Sequence, residues 1–401
     1  MIRQEKVLIN FPVDKLAPKG GPAGYLYNLH HGFERIVSAN FDFLPAGGST
    51  YEQSKLLQKL VPSRIKDFRR ARNLLTLPSR DIPAPVDYSQ YRGVHFHSTE
   101  DLYLMRKALD SYKGKVVLTS HSPCVYHEEL ISRLNPKDAA AHAEELKGLA
   151  VIDEYSFKRA DYVIFPCPEA EEPYFHTWDG YEAVRDETKL RYVPTGIEPV
   201  SSRVDRSELR KRYNIPEDAF VVCYVGRHNK IKGYDLLQEA SRELLADDDI
   251  WFLVAGREGP IYGLDHPRWV EVGWTDDPHS IIAAADTFIL PNRETFFDLI
   301  MLEVLSLGQI VLSSRTGGNK FFEKFGCEGI RLYDEVEELV ELVRFVKAST
   351  AEERLAWRAA SKALYEQEFT VDVFARRYEA VFNEICAKPY TFAERVKVSE
   401  I

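Results

Sequence analysis

The 401-residue chain is poor in the features that mark several large protein classes. It has five cysteines: Cys124, Cys167, Cys223, Cys327 and Cys386. They are widely spaced, odd in number and form no CxxC pair, so neither a disulfide framework nor a zinc site is expected. Most read as small apolar core residues. No apolar run approaches the roughly 18 residues needed to cross a bilayer. The start, Met1-Ile2-Arg3-Gln4-Glu5-Lys6, leads into a short apolar run with no signal-peptide core, and a cytoplasmic protein is the resulting expectation. The basic excess of a general nucleic-acid binder is also missing: 52 Lys and Arg stand against 62 Asp and Glu, a net charge of −10. There is no internal repeat and no low-complexity segment. GxGxxG is absent too, which disfavours a nicotinamide cofactor.

What is present is an ordinary globular composition, 45% hydrophobic and 28% charged, with enough apolar chain to bury large cores. At about 150 residues per domain the length implies two or three domains. Short β-rich runs alternate with helical patterns. Strands are expected at 7–11, 93–97, 115–119, 161–165, 191–193, 220–225, 251–255, 286–290 and 309–313. Pro22 suits a helix start, and helices are expected over 138–158, 234–245 and from about Val371 onward. Continuous apolar strands separated by helices imply parallel sheets covered on both faces. The fold class is therefore α/β, with two doubly wound, Rossmann-like domains. The best boundary is Pro194-Thr-Gly-Ile-Glu-Pro199, which gives domains 1–197 and 198–372 followed by a terminal helix, 373–401.

In open α/β sheets ligands bind at the carboxyl ends of strands, so unusual residues there carry the functional argument. Lys19-Gly20-Gly21-Pro22 follows the first strand. It reads either as an anion-binding turn at a helix start or as a loop needing positive φ. Gly226-Arg227-His-Asn-Lys-Ile-Lys232-Gly233 follows another strand. Arg227 offers a planar fork of donors and Lys232 a mobile point charge, both suited to a diphosphate; a solvated basic loop is the plain alternative. Pro291 to Glu303 runs from a strand end into a helix whose first N–H groups can face a phosphate. Glu303 lies in an otherwise apolar stretch, where a carboxylate needs a partner. His95 and His97 share one face of a strand, and Thr119-Ser120-His121 ends another. No third ligand at useful spacing supports a metal pair. Asp247-Asp248-Asp249 reads as a helix-end loop.

Together these blocks resemble the retaining family-four glycosyltransferases of the GT-B fold, the glycosyl transferases group 1, and the resemblance covers nearly the whole chain. It implies two Rossmann-like domains facing a central cleft. It further implies that Gly20, Gly21, Gly226, Arg227 and Lys232 hold a donor diphosphate and that Glu303 binds the nucleotide ribose. His97 would lie near the transferred sugar, and the last helix would return to the N-terminal domain. The family's Glu-x7-Glu pattern is altered: Thr295 stands eight places before Glu303, and Glu294 one place earlier, so the resemblance implies that either Glu294 reaches the donor sugar from a shifted backbone or Thr295 supplies a weaker contact. Phe296-Phe297-Asp298 replaces Gly-Phe-Gly; by the resemblance Phe297, Asp298 and Leu299 border the donor at the helix start, with Asp298 expected to cap the helix.

The implied activity is retaining transfer of a sugar from a nucleotide diphosphate-sugar to a glycan, lipid-linked or other hydroxyl acceptor. A UDP-sugar is favoured over a GDP-sugar, and no metal or other cofactor is expected. His97, Arg227, Lys232 and Glu294 would act in catalysis. A GT-B epimerase or phosphorylase, or a non-catalytic nucleotide-sugar binder, would share the fold and phosphate sites. Lys55–Arg72 holds seven basic residues, among them Arg64, Lys66, Arg69 and Arg70, against one acidic residue, a local charge of +6. This basic amphipathic stretch suits a phosphate-bearing acceptor or a peripheral anionic membrane surface, or is simply a solvated helix face. No nucleic-acid partner is expected.

Overall fold

The computed structural model describes residues 5–11, 16, 21–44 and 63–387, with the side chains of 63–68 left out of the description. The described chain forms two compact units. The first runs through Phe165, resumes over Tyr174–Val193 and takes up the chain again from Ala375; the second comprises Pro166–Pro173 and Pro194–Phe374. No local pattern marks the short excursion at Pro166–Pro173.

Each unit is built on a six-stranded parallel sheet. In the first, β1 (Val7–Asn10), β2 (Phe41–Phe43), β3 (Gly93–Phe96), β4 (Lys115–Leu118), β5 (Tyr162–Phe165) and β6 (Leu190–Tyr192) lie in the order β2-β1-β3-β4-β5-β6. In the second, β7 (Phe220–Val225), β8 (Ile250–Ala255), β9 (Trp269–Gly273), β10 (Thr287–Leu290), β11 (Val311–Ser314) and β12 (Ile330–Tyr333) lie in the order β12-β11-β10-β7-β8-β9. All ladders are parallel, as the continuous apolar runs imply. The strand order reverses direction between β1 and β3 and between β7 and β10, and ligands bind at such switch points.

The central strands are apolar because helices cover both faces. Val222, Tyr224, Phe252, Val254, Ile289 and Leu312 pack with Leu237 and Leu244 of the helix Tyr234–Leu244 in one buried cluster. Each such side chain contributes about 1.5–3 kcal/mol on burial. Cys167 and Cys223 are buried, and all five cysteines are free thiols. Two expectations need correction. The strands β2, β9 and β12 lie at 41–43, 269–273 and 330–333, where no strand was expected. The single helix expected over 138–158 is broken into Pro136–Ala141, Ala143–Leu146, a 3-10 turn at Lys147–Leu149 containing Gly148, and Ala150–Arg159. The break falls at His142, whose φ of −119° and ψ of 23° are not helical.

One ion-pair cluster fastens the second unit's first helix to its sheet. Arg210 is fully buried. Its guanidinium reaches Asp286 at 2.8 Å and the carbonyls of Ala284, Glu217 and Ala219. Asp286 also accepts from Arg206 at 2.7 Å and from the Val221 N–H at 2.8 Å. Burial pushes the Asp286 carboxyl up, but Arg206, the Val221 amide and Arg210 outweigh it and hold it below the usual carboxylate range. A depressed folded-state value stabilises the protein above the unfolded-chain value of about 3.9, and that contribution fades as pH falls through the folded value. Asp286→Ala strands a buried guanidinium. It is expected to cost the second unit about 3–5 kcal/mol in denaturant unfolding at neutral pH, with the gap to wild type narrowing below about pH 4.

Candidate functional site

Two of the strand-end blocks meet at the β7/β10 switch point. Arg293 N–H donates to the Ile231 carbonyl at 3.0 Å, and Arg293 pairs with Asp235 at 2.7 Å. Gly233 has φ of +64° and caps the helix Tyr234–Leu244; a Cβ there would lie 1.6 Å from the Pro291 carbonyl oxygen. Only glycine permits both the left-handed backbone and this approach. Gly226 N–H donates to Ala255 O at 3.0 Å, which seats the loop on the neighbouring strand end. Arg227 is exposed, and its guanidinium forms no ion pair among the described residues. His228 fills the loop from beneath. It is fully buried and stacks on Tyr234 at 3.9 Å, and burial pushes its imidazole down to about 4, so it is neutral.

Lys232 is already engaged. Its Nζ lies 2.6 Å from both oxygens of Asp298, and Asn292 Nδ2 donates to the same carboxylate at 2.6 Å. Asp298 occupies the cap position of the helix Leu299–Ser306 but accepts no hydrogen bond from it. The expected cap is therefore corrected: a lysine and a buried amide draw the carboxylate away from the helix. Burial alone would raise the Asp298 carboxyl, yet Lys232, Asn292 and Arg227 hold it below the usual range. Phe297 stacks on Phe322 at 5.6 Å and anchors the backbone, and Leu299 opens the helix.

Glu303, in the same helix, has the partner its apolar surroundings require: His279 Nε2 lies 3.1 Å from its carboxylate. Sequence reading missed His279, which sits in the short helix Pro278–Ala283. Thr295 is fully buried, and its Oγ1 has no hydrogen-bond partner among the described residues. Glu294 beside it is only partly buried. Gly317 and Gly318 back this turn, each so close that a Cβ would lie 2.1 Å from the carbonyl oxygen of Thr295 or Phe296. Glu172 accepts from the Gly317 N–H at 3.1 Å and pairs with Lys320. The Gly-Gly after β11 was a visible local signal for this turn; Glu172 and Asn292 had none. Asp247 and Asp249 are engaged by Arg344 and Lys347.

In the first unit, Gly21 has φ of +79° and precedes the helix Pro22–Arg35, as a loop needing positive φ would; Gly20 lies outside the described residues. The histidines in and just after β3 and just after β4 do come together. Thr119 donates its hydroxyl proton to Ile164 O, so it accepts from His95 Nε2–H at 2.9 Å, and His95 Nδ1 then accepts from Tyr378 at 2.5 Å. His97 is 1% exposed; its Nδ1 lies 2.9 Å from His121 Nε2, and its own Nε2 has no partner among the described residues. Burial, with the neighbouring imidazoles, keeps His97 well below its ordinary pKa, so it is a neutral hydrogen-bonding group. The potential metal cluster among the described residues, His30, His31 and Glu34, lies elsewhere, on the helix Pro22–Arg35. The helix Ser63–Leu75 follows Pro62. Arg69 is exposed and Arg70 donates to Arg133 O at 2.9 Å, while the side chains of Arg64 and Lys66 lie outside the described residues. No helix among the described residues is long and apolar enough to cross a membrane.

Residues 219–346 match the family model of glycosyl transferases group 1. A D-inositol 3-phosphate glycosyltransferase of Geodermatophilus obscurus is 27% identical over 227 residues, 50% of this chain and 50% of that protein. The O-antigen biosynthesis glycosyltransferase WclY of Escherichia coli is 27% identical over 187 residues, 44% of this chain and 50% of that protein. The chain thus spans about half the length of the curated relatives it matches. Among solved structures, the sucrose-phosphate synthase of Thermosynechococcus elongatus superposes with a TM-score of 0.63 at 17% identity, covering 96% of this chain and 99% of that one. Anabaena HepE in complex with UDP-glucose gives 0.61 at 14% identity, covering 94% and 99%. These structural likenesses show the fold.

The abutment of the two loops is testable without any ligand. Gly233→Ala is expected to lower unfolding free energy by more than the about 1–2 kcal/mol that a left-handed alanine alone costs, because its methyl group meets Pro291. A loss within that range in denaturant titration would show that the loops part easily.

Proposed function

We propose that the chain is a glycosyltransferase of the group 1 family with the GT-B fold, and that it transfers a sugar, with retention, from a nucleotide diphosphate-sugar to a hydroxyl acceptor. The observation that carries this reading is the junction of the Gly226–Gly233 and Pro291–Glu303 blocks at the β7/β10 switch point. A UDP-sugar is the favoured donor. Breaking the bond to the anomeric carbon leaves charge on the β-phosphate. Arg227, Lys232 and the first amides of the helix Leu299–Ser306 are the groups assigned to that charge. Glu303, oriented by His279, is assigned to the ribose hydroxyls. Of the two candidates for the donor sugar, Glu294 is favoured because Thr295 is fully buried.

The first unit is assigned to the acceptor, with Gly21 and the His97–His121 pair at its own switch point as the polar groups that would meet substrate. The basic helix Ser63–Leu75 suits an anionic acceptor. Salt-sensitive sedimentation with anionic vesicles would extend that assignment to a membrane surface.

A charge-assisted hydrogen bond contributes about 1.5–3 kcal/mol. Arg227→Ala is accordingly expected to lower turnover by about 10–100-fold or more in a nucleoside-diphosphate release assay over a panel of nucleotide sugars and acceptors. Because the two cations are assigned to the leaving diphosphate, transfer is expected to persist in EDTA; abolition by EDTA would contradict the metal-independent reading. Donor binding without turnover across the panel would favour a nucleotide-sugar sensor instead.

A further inference from the structure

The phosphate site carries its own anion. Lys232, one of the two cations assigned to the donor diphosphate, is held by two 2.6 Å contacts to Asp298, and Asn292 adds a third contact to that carboxylate. We propose that Asp298 is a resident counter-anion of this site, which keeps Lys232 occupied until an incoming diphosphate takes the cation over, and so sets the affinity for nucleotides and its pH dependence. The inference rests on the donor-site reading above and concerns a residue that stands where the family pattern has glycine.

Four observations support it. Lys232 and Asp298 retain 20% and 18% of their side-chain exposure, so an external anion can reach the pair and compete. The backbone of Lys232 is fixed as well, its N–H donating to Asn229 Oδ1 at 2.9 Å, so the stem of the cation stays in place while its mobile ammonium can change partner. Asp298 is tethered from behind by Asn292, which is 2% exposed, so the carboxylate does not leave when it loses the lysine. And although Asp298 stands at the cap position, it spends nothing on the helix amides, which remain for another acceptor.

The consequence is a proton linkage. In the free protein the carboxylate faces Lys232 and Arg227, the Asn292 amide and the Tyr224 hydroxyl; Tyr224 is kept neutral by burial and donates to Arg227 O. These neighbours hold Asp298 ionised. Once a diphosphate binds Lys232, the carboxylate loses its cation and faces phosphate oxygens, so its proton affinity rises. Binding is then coupled to proton uptake and strengthens as pH falls. The charge of Asp298 opposes the ligand, and removing that charge frees a lysine.

The test is calorimetric titration of the full chain and of Asp298→Asn with UDP, GDP, UDP-glucose and GDP-mannose, each in two buffers of different ionisation enthalpy. The sugar-capped diphosphates do not titrate near neutral pH, so proton exchange with them reports the protein. Asp298→Asn is expected to bind roughly 10-fold more tightly at neutral pH, and wild type to take up more protons per ligand than the variant in titrations at about pH 5, near the carboxylate range. Equal or weaker binding by a variant with an unchanged unfolding midpoint would overturn the proposal. Should the variant not fold, the absence of proton uptake by wild type with a sugar-capped donor that binds would overturn it equally. If no probe binds either protein, the donor-site reading fails first and the inference falls with it. If the probes bind and only the predicted difference is missing, the reading stands and the inference alone is lost.

Discussion

The candidate donor site depends on how closely two backbones approach at one place in the second sheet. The loop after β7 and the loop after β10 touch where Gly233 meets Pro291, and a methyl group there has no room. A second such contact, Gly317 and Gly318 against Thr295 and Phe296, backs the same turn from β11. These contacts fix the loop from which Lys232 reaches Asp298 and give Asp298 its place at the helix start. Close packing of backbone at a switch point is what turns scattered polar residues into a site.

The interior of both sheets was legible in the sequence because central parallel strands are apolar on both faces. The strands that escaped are β2, β9 and β12, all at sheet edges. Their sequences, Phe41-Asp42-Phe43, Trp269-Val-Glu-Val-Gly273 and Ile330-Arg331-Leu332-Tyr333, mix charge with apolar residues because one flank is open. The two loops of the candidate site were legible for a different reason: glycines and cations directly after strands are costly unless used. What was not legible is the pairing. His279 with Glu303, Lys232 with Asp298, and Glu172 with Gly317 and Lys320 join positions far apart in the chain, and no local rule brings them together. Asp298 shows the limit well: its cap position was readable, but the lysine that diverts it was not.

Charge follows a similar pattern at two scales. The chain is acidic overall, yet Lys55–Arg72 is locally basic, with seven basic residues against one acidic. Within the candidate site, a carboxylate offsets one of the two cations. In the first unit His95, His97 and His121 are kept neutral by burial, so they are hydrogen-bonding groups rather than charges.

Hydrogen exchange of the full chain with and without saturating UDP or GDP tests the central claim most directly, because it reports where a nucleotide sits without assuming a reaction. The account predicts protection confined chiefly to 226–233 and 291–303, with the segment around His279 following. Binding with protection elsewhere, and none in those two loops, would contradict it.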